Sequence, residues 1–316
     1  WLLKDMDFSA PQAMLRTQAE FGSTSVSRQV ASLALKNHGD DLLNVATLDR
    51  VLNAGGQFWG TRVDAAKSLG NIGSNEACAA LRKGLDVDNA RARREAASSL
   101  SNCRGADVAK SLRRTIAKDP SVGVIGAALR SLGHMREHVH RKTLESGLKR
   151  SSWAGIIARG ASEGLAEVDA DWAFDALIRG AKNRSAHSRA RTAAISAISG
   201  SADRNPSLIG DALDAAHNLL EESNAFVVRE SLRLIAAHGG ADDLAALETG
   251  IRKIPEKWYH KEIHRWRSKL KKRMKGLESE SSSDPDERIE ELSETLESLE
   301  ERLKDLEAKE SATAPH

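Results

Sequence analysis

The chain has 316 residues, with 47 lysines and arginines against 45 aspartates and glutamates, and a formal charge of +2. Aromatics make up 4% and prolines number six, which suits helices better than strands. No apolar run reaches the roughly 18 residues of a membrane-spanning helix, and the first residues lack the charged, apolar and small succession of a signal peptide. Neither a membrane nor a secretory route is therefore expected, and the expected compartment is the cytoplasm.

Trp1 stands where a methionine would start a chain, so the sequence reads as a fragment of a longer protein. Residues 1–21 read as an incomplete first unit, with Asp7 and Ser9 as caps ahead of a helix from Ala10 to Phe21. The first full copy of a recurring pattern is Ser27 to Leu35, stopped by Asn37-His38-Gly39, and Asp41 to Leu52 supplies the second helix of its pair. Phe58 to Gly70 then repeats the pattern. Aligned on its closing leucine, Leu69, the frame returns at Leu35, Leu100, Leu132, Leu165, Ile198 and, worn, at Ala236, at intervals of 34, 31, 32, 33, 33 and 38 residues.

A period of this size means stacked supersecondary units, each unable to bury its apolar face alone. Twelve residues separate each closing leucine from a leucine of the next helix, in the pairs Leu69 and Leu81, Leu100 and Leu112, Leu132 and Leu144, Leu165 and Leu177. Two helices per unit follow. Ala65, Ala96, Ala128, Ala161 and Ala194 share one position, where a small side chain lets helices approach closely. The fold expected is all-α, a right-handed α-α superhelix. Its units resemble HEAT repeats in a short form: Asp119-Pro120 and Asp86 match the turn ahead of the second helix, and Arg28, Arg62, Arg93, Arg191 and Arg229 match the arginine near its start. Ile125 and Ala158 take the arginine's place in two copies, so something else must hold those units.

Residues 1–275 are thus one solenoid. Its last part, 257–275, carries nine basic residues and one acid, Glu262, around an apolar stripe of Tyr259, Ile263, Trp266, Leu270 and Met274, and reads as the basic helix that caps the array. Residues 276–286 read as a flexible linker. From 287 to 310 an acidic heptad helix or coiled coil is expected, with Ile289, Leu292, Leu296, Leu299, Leu303 and Leu306 as an oligomer seam, and 311–316 as disordered.

Chemistry is sparse. No histidine precedes a glutamate, so the H-E-x-x-H frame of helix-borne zinc hydrolases is missing, and no catalytic or metal-binding residue can be named. His134, His138 and His140 cluster across a join between helices and read as a polar surface turn. Cys78 and Cys103 read as buried free thiols. Candidate contacts on the concave face are Phe58, Trp59, Arg62, Arg93, Trp153, Arg191 and Arg229. For the three aromatics core packing is the favoured reading, and for the arginines a bridge between adjacent turns. Lys261, Arg265, Lys269 and Lys272 form a candidate basic patch, although nucleic acid is not expected as a partner.

Residues 1 to about 255 resemble the C-terminal helical region of aminopeptidase N-like zinc metallopeptidases, the gluzincin aminopeptidases. The resemblance rests on Gln57-Phe58-Trp59-Gly60-Thr61-Arg62-Val63-Asp64-Ala65-Ala66-Lys67-Ser68-Leu69-Gly70, on Asp119-Pro120-Ser121-Val122 through Leu132-Gly133, and on Arg150-Ser151-Ser152-Trp153 through Gly164-Leu165-Ala166. It implies an N-terminal catalytic domain, with zinc in that parent chain and no cofactor in this segment. It further implies that the solenoid walls a cavity for peptide substrates. The basic helix and the acidic tail lie outside it. A freestanding adaptor that binds protein partners, or itself through the heptads, is the alternative.

Overall fold

The computed structural model describes residues 12–36 and 42–282, which form sixteen α-helices, five short 3-10 turns and no strand. The α-helices alternate between two layers. The outer layer holds α1 (Gln12–Phe21), α3 (Leu42–Asn53), α5 (Asn75–Gly84), α7 (Ala106–Lys118), α9 (Arg141–Lys149), α11 (Asp171–Lys182), α13 (Ile209–Leu219) and α15 (Leu244–Ile251). The inner layer holds α2 (Ser25–Leu35), α4 (Trp59–Ile72), α6 (Ala90–Ser99), α8 (Val122–Gly133), α10 (Ile156–Ala166), α12 (Ser188–Arg204), α14 (Ala225–His238) and α16 (Glu256–Ser282). This is an all-α solenoid.

The closing residues of the repeat, Leu35, Leu69, Leu100, Leu132, Leu165, Ile198 and Ala236, are all buried in one continuous core, as are their outer-layer partners Leu81, Leu112, Leu144 and Leu177. Each fully buried leucine contributes roughly 1.5–3 kcal/mol relative to exposure. The small residues Ala65, Ala96, Ala128, Ala161 and Ala194 are buried between the layers. At two positions just before a closing leucine a hydroxyl ties one inner helix to the one before it: Ser68 donates to the Ser32 carbonyl at 2.8 Å and Ser131 to the Ala97 carbonyl at 2.7 Å.

Three expectations change. Pairing differs first: through most of the array each inner helix packs on the outer helix before it, not after it, with α5 lying evenly between α4 and α6 and α15 nearer α14. Inner helices pack against one another along the whole row, whereas from α5 onward neighbouring outer helices barely meet, so the inner layer lies on the concave side. Second, Cys78 and Cys103 are joined in a disulfide, with Cα atoms 5.9 Å apart, and are not free thiols. The end of α6 turns back through a 3-10 segment, Leu100–Asn102, and delivers Cys103 onto α5. Third, α16 runs to Ser282, into the stretch read as a linker, because Leu277, Glu278 and Glu280 are ordinary helix formers and Gly276 alone does not stop a helix. Ile263, Trp266 and Leu270 of its stripe are buried, Tyr259 packs at the edge, and Met274 lies outside the described side chains. The heptad seam from Ile289 to Leu306 and residues 311–316 also lie outside the described residues.

Local signals set the helix ends. Asn89 accepts hydrogen bonds from the Arg91 and Ala92 amides and Asn224 from those of Phe226 and Val227, satisfying the orphan donors of α6 and α14. At the C-terminus of α4, Gly73 takes a left-handed φ of 66° while its amide caps the Leu69 carbonyl. The inner helices therefore share a direction, with their N-terminal ends along one rim of the concave face.

Candidate functional site

The arginine register is the first set of candidate contacts to be placed, and most of it is structural. Arg62, only 2% exposed, donates Nε to the Leu52 carbonyl at the end of α3 (2.8 Å) and Nη1 to Asp88 (2.5 Å) ahead of α6. Arg191 repeats this at the other end of the array, with Nε on the Ala181 carbonyl of α11 (2.8 Å) and Nη2 on Glu222 (3.0 Å). Arg93 forks onto Asp119 at 2.8 and 3.3 Å, and Arg229 onto Glu262 of α16 at 2.9 and 3.1 Å while lying over the Tyr259 ring. Each guanidinium latches an inner helix to the outer helix before it, to the unit after it, or to both. The arginines hold Asp88 and Glu222 below the usual carboxylate range. Asp88, not Asp86, is the residue matched to the turn, since Arg62 to Asp88 repeats the 26-residue step from Arg93 to Asp119. Asp86 instead pairs with Arg114.

The two copies without arginine are held by close backbone packing. A methyl group on Gly133 of α8 would fall on the Gly164 backbone of α10, and one on Gly160 would fall on that of Gly126. With no side chain between them, α8 and α10 make the tightest contact in the array.

The three aromatics are not in the core. Phe58 and Trp59 are 42% and 38% exposed at the start of α4, and Arg91 lies 4.3 Å above the Trp59 ring. Trp153 is 76% exposed ahead of α10. Two successive residues after it are left-handed, Ala154 at φ 50° and Gly155 at φ 67°, and Gly155 is pressed against Ala190 of α12. A left-handed alanine is costly, and here it turns the chain so that the indole faces outward while α10 stays packed. Phe226, at the start of α14, is exposed on the same rim.

Beside Trp153 the concave face opens into a groove of about 660 Å³ across α8, α10, α12 and α14, lined by Arg130, Arg159, Glu163, Arg189, Ser196 and Glu230 among others. A second hollow of about 410 Å³ shares Arg130, Ile156, Arg159 and Glu163 with it and extends the floor to Arg94 of α6. Glu163 accepts from both Arg130 and Arg159, the latter at 2.8 Å, and Glu230 accepts from Arg233 at 2.7 Å. Glu167 at the far end faces Arg136 at 3.5 Å and His134 at 3.7 Å. Arg94, Arg159 and Arg189 were not among the sequence candidates. Their signal was present as charged residues on the face opposite the leucine register, but nothing in one sequence separates a groove from a solvated face.

The basic patch is split in kind. Lys261, Arg265, Lys269 and Lys272 are exposed on α16, whereas Arg267 forks onto Glu248 and Arg273 donates to the Gly239 carbonyl. Of the histidine cluster, His138 accepts from Trp172 Nε1 at 2.9 Å, and His140 is buried beside Arg113 rather than at the surface. Among the described residues no group of three or more histidines, cysteines or acids is placed to hold a metal ion, and no helix is long and apolar enough to cross a membrane.

Residues 48–133, from within α3 to the end of α8, match the family model for HEAT repeats. Among solved structures the chain is similar to the complex of CpcE and CpcF of phycocyanin lyase from Nostoc sp. PCC7120, at 15% identity over 79% of this chain and 99% of that one, with a TM-score of 0.45. It is also similar to YibA of Escherichia coli, at 17% identity over 85% of this chain and 94% of that one, with a TM-score of 0.46. No curated protein matches the chain. None of these findings speaks for the aminopeptidase resemblance or for zinc.

Proposed function

We propose that this chain is a HEAT-like scaffold that holds a polypeptide on its concave face, in the groove between α8 and α14. The observation that carries the reading is Trp153, a large apolar side chain turned into solvent by a left-handed alanine at the mouth of that groove. Exposed aromatics beside arginines are the side chains that dominate binding energy at protein interfaces, and unfavourable backbone geometry gathers at binding sites. Phe58 and Trp59 with Arg91 extend the same rim toward α4.

The reading is tested by panning a displayed peptide library against the full chain and against a Trp153→Ala, Arg159→Glu variant. Enriched peptides should bind the parent and lose at least tenfold affinity for the variant at an unchanged melting temperature; equal binding to both would refute the groove. In the finer form of the reading the groove is part of the wall of a zinc aminopeptidase's substrate cavity. Its support is the order of the blocks 57–70, 119–133 and 150–166, and sequencing the upstream reading frame tests it. An H-E-x-x-H frame within several hundred residues upstream is expected; without one, the adaptor reading stands alone.

A further inference from the structure

Within the groove the carboxylates are already engaged: Glu163 lies between Arg130 and Arg159, Glu230 is held by Arg233, and Glu167 faces Arg136. Arg94 and Arg189 form no ion pair with a described residue. Glu95 of α6 offsets part of this charge, since Arg94, Arg130 and Lys67 all act on it, and the face from α6 to α12 keeps an excess of arginine next to the apolar surface of Trp153 and Ile156. A ligand that fits must bring carboxylates and apolar side chains together.

The chain itself contains such a segment. Residues 286–310 hold eleven acidic and four basic residues, with leucines at 292, 296, 299, 303 and 306 spaced by three and four. Its point of departure also suits the groove. Glu262 meets Arg229 near the N-terminal ends of α16 and α14, and Arg273 reaches the Gly239 carbonyl just past the C-terminal end of α14, so the two helices run parallel. Arg273 already stands level with the rim on which α10 and α12 end, so the nine further residues to Ser282 carry the chain about 13 Å past that rim before it can turn back toward the groove. At about 8–10 Å per inner helix, α10 lies roughly 30 Å from α16 and α12 roughly 20 Å. Residues 283–288 span at most about 20 Å when extended, and the acidic segment itself covers the rest.

We propose that residues 286–310 occupy the concave groove of their own chain, with acidic side chains on Arg94, Arg159 and Arg189 and leucines against Trp153, and that a partner must displace them to bind. The proposal rests on the reading of the groove as a polypeptide site and adds its regulation.

Hydrogen exchange on the full chain tests it, read against a synthetic peptide of residues 286–310 and alongside sedimentation. Amides of 287–310 should exchange at least about tenfold more slowly in the chain than in the peptide, at monomer mass. The protection should vanish in 0.5 M salt, in Arg159→Glu, Arg189→Glu, and in Leu296→Asp, Leu299→Asp, whose changes lie outside the solenoid and leave its folding intact. Absent protection overturns the proposal. So does protection that survives the arginine reversals, or that accompanies a doubled mass and so belongs to a heptad dimer. The tail variant should also bind panned peptides more tightly than the parent. If the tail proves free while panned peptides still bind through Trp153, only this proposal falls; if no peptide binds even the tail variant, the underlying reading falls as well.

Discussion

The solenoid is held in two different ways along its length. Toward both ends an arginine from each inner helix reaches a neighbouring carbonyl, a neighbouring acid, or both, as Arg62, Arg93, Arg191 and Arg229 do. At the centre Ile125 and Ala158 stand in the arginine's place, and α8 and α10 close on each other through Gly126, Gly133, Gly160 and Gly164. A side-chain latch tolerates small shifts because a guanidinium can follow its partner; a backbone contact does not. The centre is thus the stiff joint of the array, and the groove with Trp153 opens beside it.

The sharpest way to break this contrast is to add a methyl group at the centre. Gly133→Ala and Gly160→Ala would each drive a carbon into backbone rather than into a movable side chain, and each is expected to lose about 3 kcal/mol or more in urea unfolding. Gly210→Ala, in open space on α13, serves as the control and should gain about 0.5 kcal/mol. Next comes the disulfide within the latched part. Its partners are 25 residues apart, so reduction, or the double change Cys78→Ala, Cys103→Ala, should cost up to about 3.5 kcal/mol by loop entropy, and non-reducing mass analysis checks the link itself.

Single latches come third. Arg62→Met and Arg191→Met should each cost about 2 kcal/mol by leaving the Leu52 or Ala181 carbonyl unpaired in the interior. Arg229→Met, whose pair with Glu262 is partly open to water, should cost about 1 kcal/mol or less. If all three arginines proved equal, burial would not be what distinguishes them.

How much of this the sequence made legible follows the same division. The leucine register needed only the repeat, because a core residue must recur wherever its unit recurs, and every one of its positions is buried. Arginine at a fixed register was equally visible. Its acid was harder, since Asp86 and Asp88 both precede α6 and only the measured 26-residue step separates them. The centre left a trace in Gly160-x-x-x-Gly164, but glycine also marks turns, and spacing alone does not say that two helices touch there. Cys78 and Cys103 meet because the chain folds back after α6, a path that no pairwise spacing encodes. The exposed aromatics were misjudged for a related reason: Trp153 is placed by the dihedral of the alanine that follows it.

The centre and the latched helices α4 and α6 should also part company with pH. Burial holds the imidazoles of His134 and His140 below their ordinary value, against the upward pull of Glu167 and Glu137; both residues flank the central joint, and His238 on α14 behaves alike beside Asp203. Because the unfolded chain takes up these protons first, stability is full above about pH 6.5 and declines as pH falls below it. The latch carboxylates Asp88 and Glu222 are lowered by their arginines, so their contribution persists until pH falls below the ordinary carboxylate range. Hydrogen exchange in mild acid should therefore loosen α8 and α9 before α4 and α6. His140→Gln should flatten the upper part of the profile, and an unchanged profile would remove His140 from the account.

The smallest effect expected is the one closest to the groove. Ala154 is left-handed at φ 50°, and glycine accepts that conformation without the clash between Cβ and carbonyl. Ala154→Gly should therefore stabilise the fold by about 0.5–1 kcal/mol, less whatever the more flexible unfolded chain takes back. The sign is informative because the same change inside a helix, where φ is negative, would be destabilising. A gain in melting temperature together with weaker peptide binding would mean that the alanine is kept for the way it presents Trp153. A gain in both would mean that the turn is merely tight, and that the indole reaches solvent for want of room between α10 and α12.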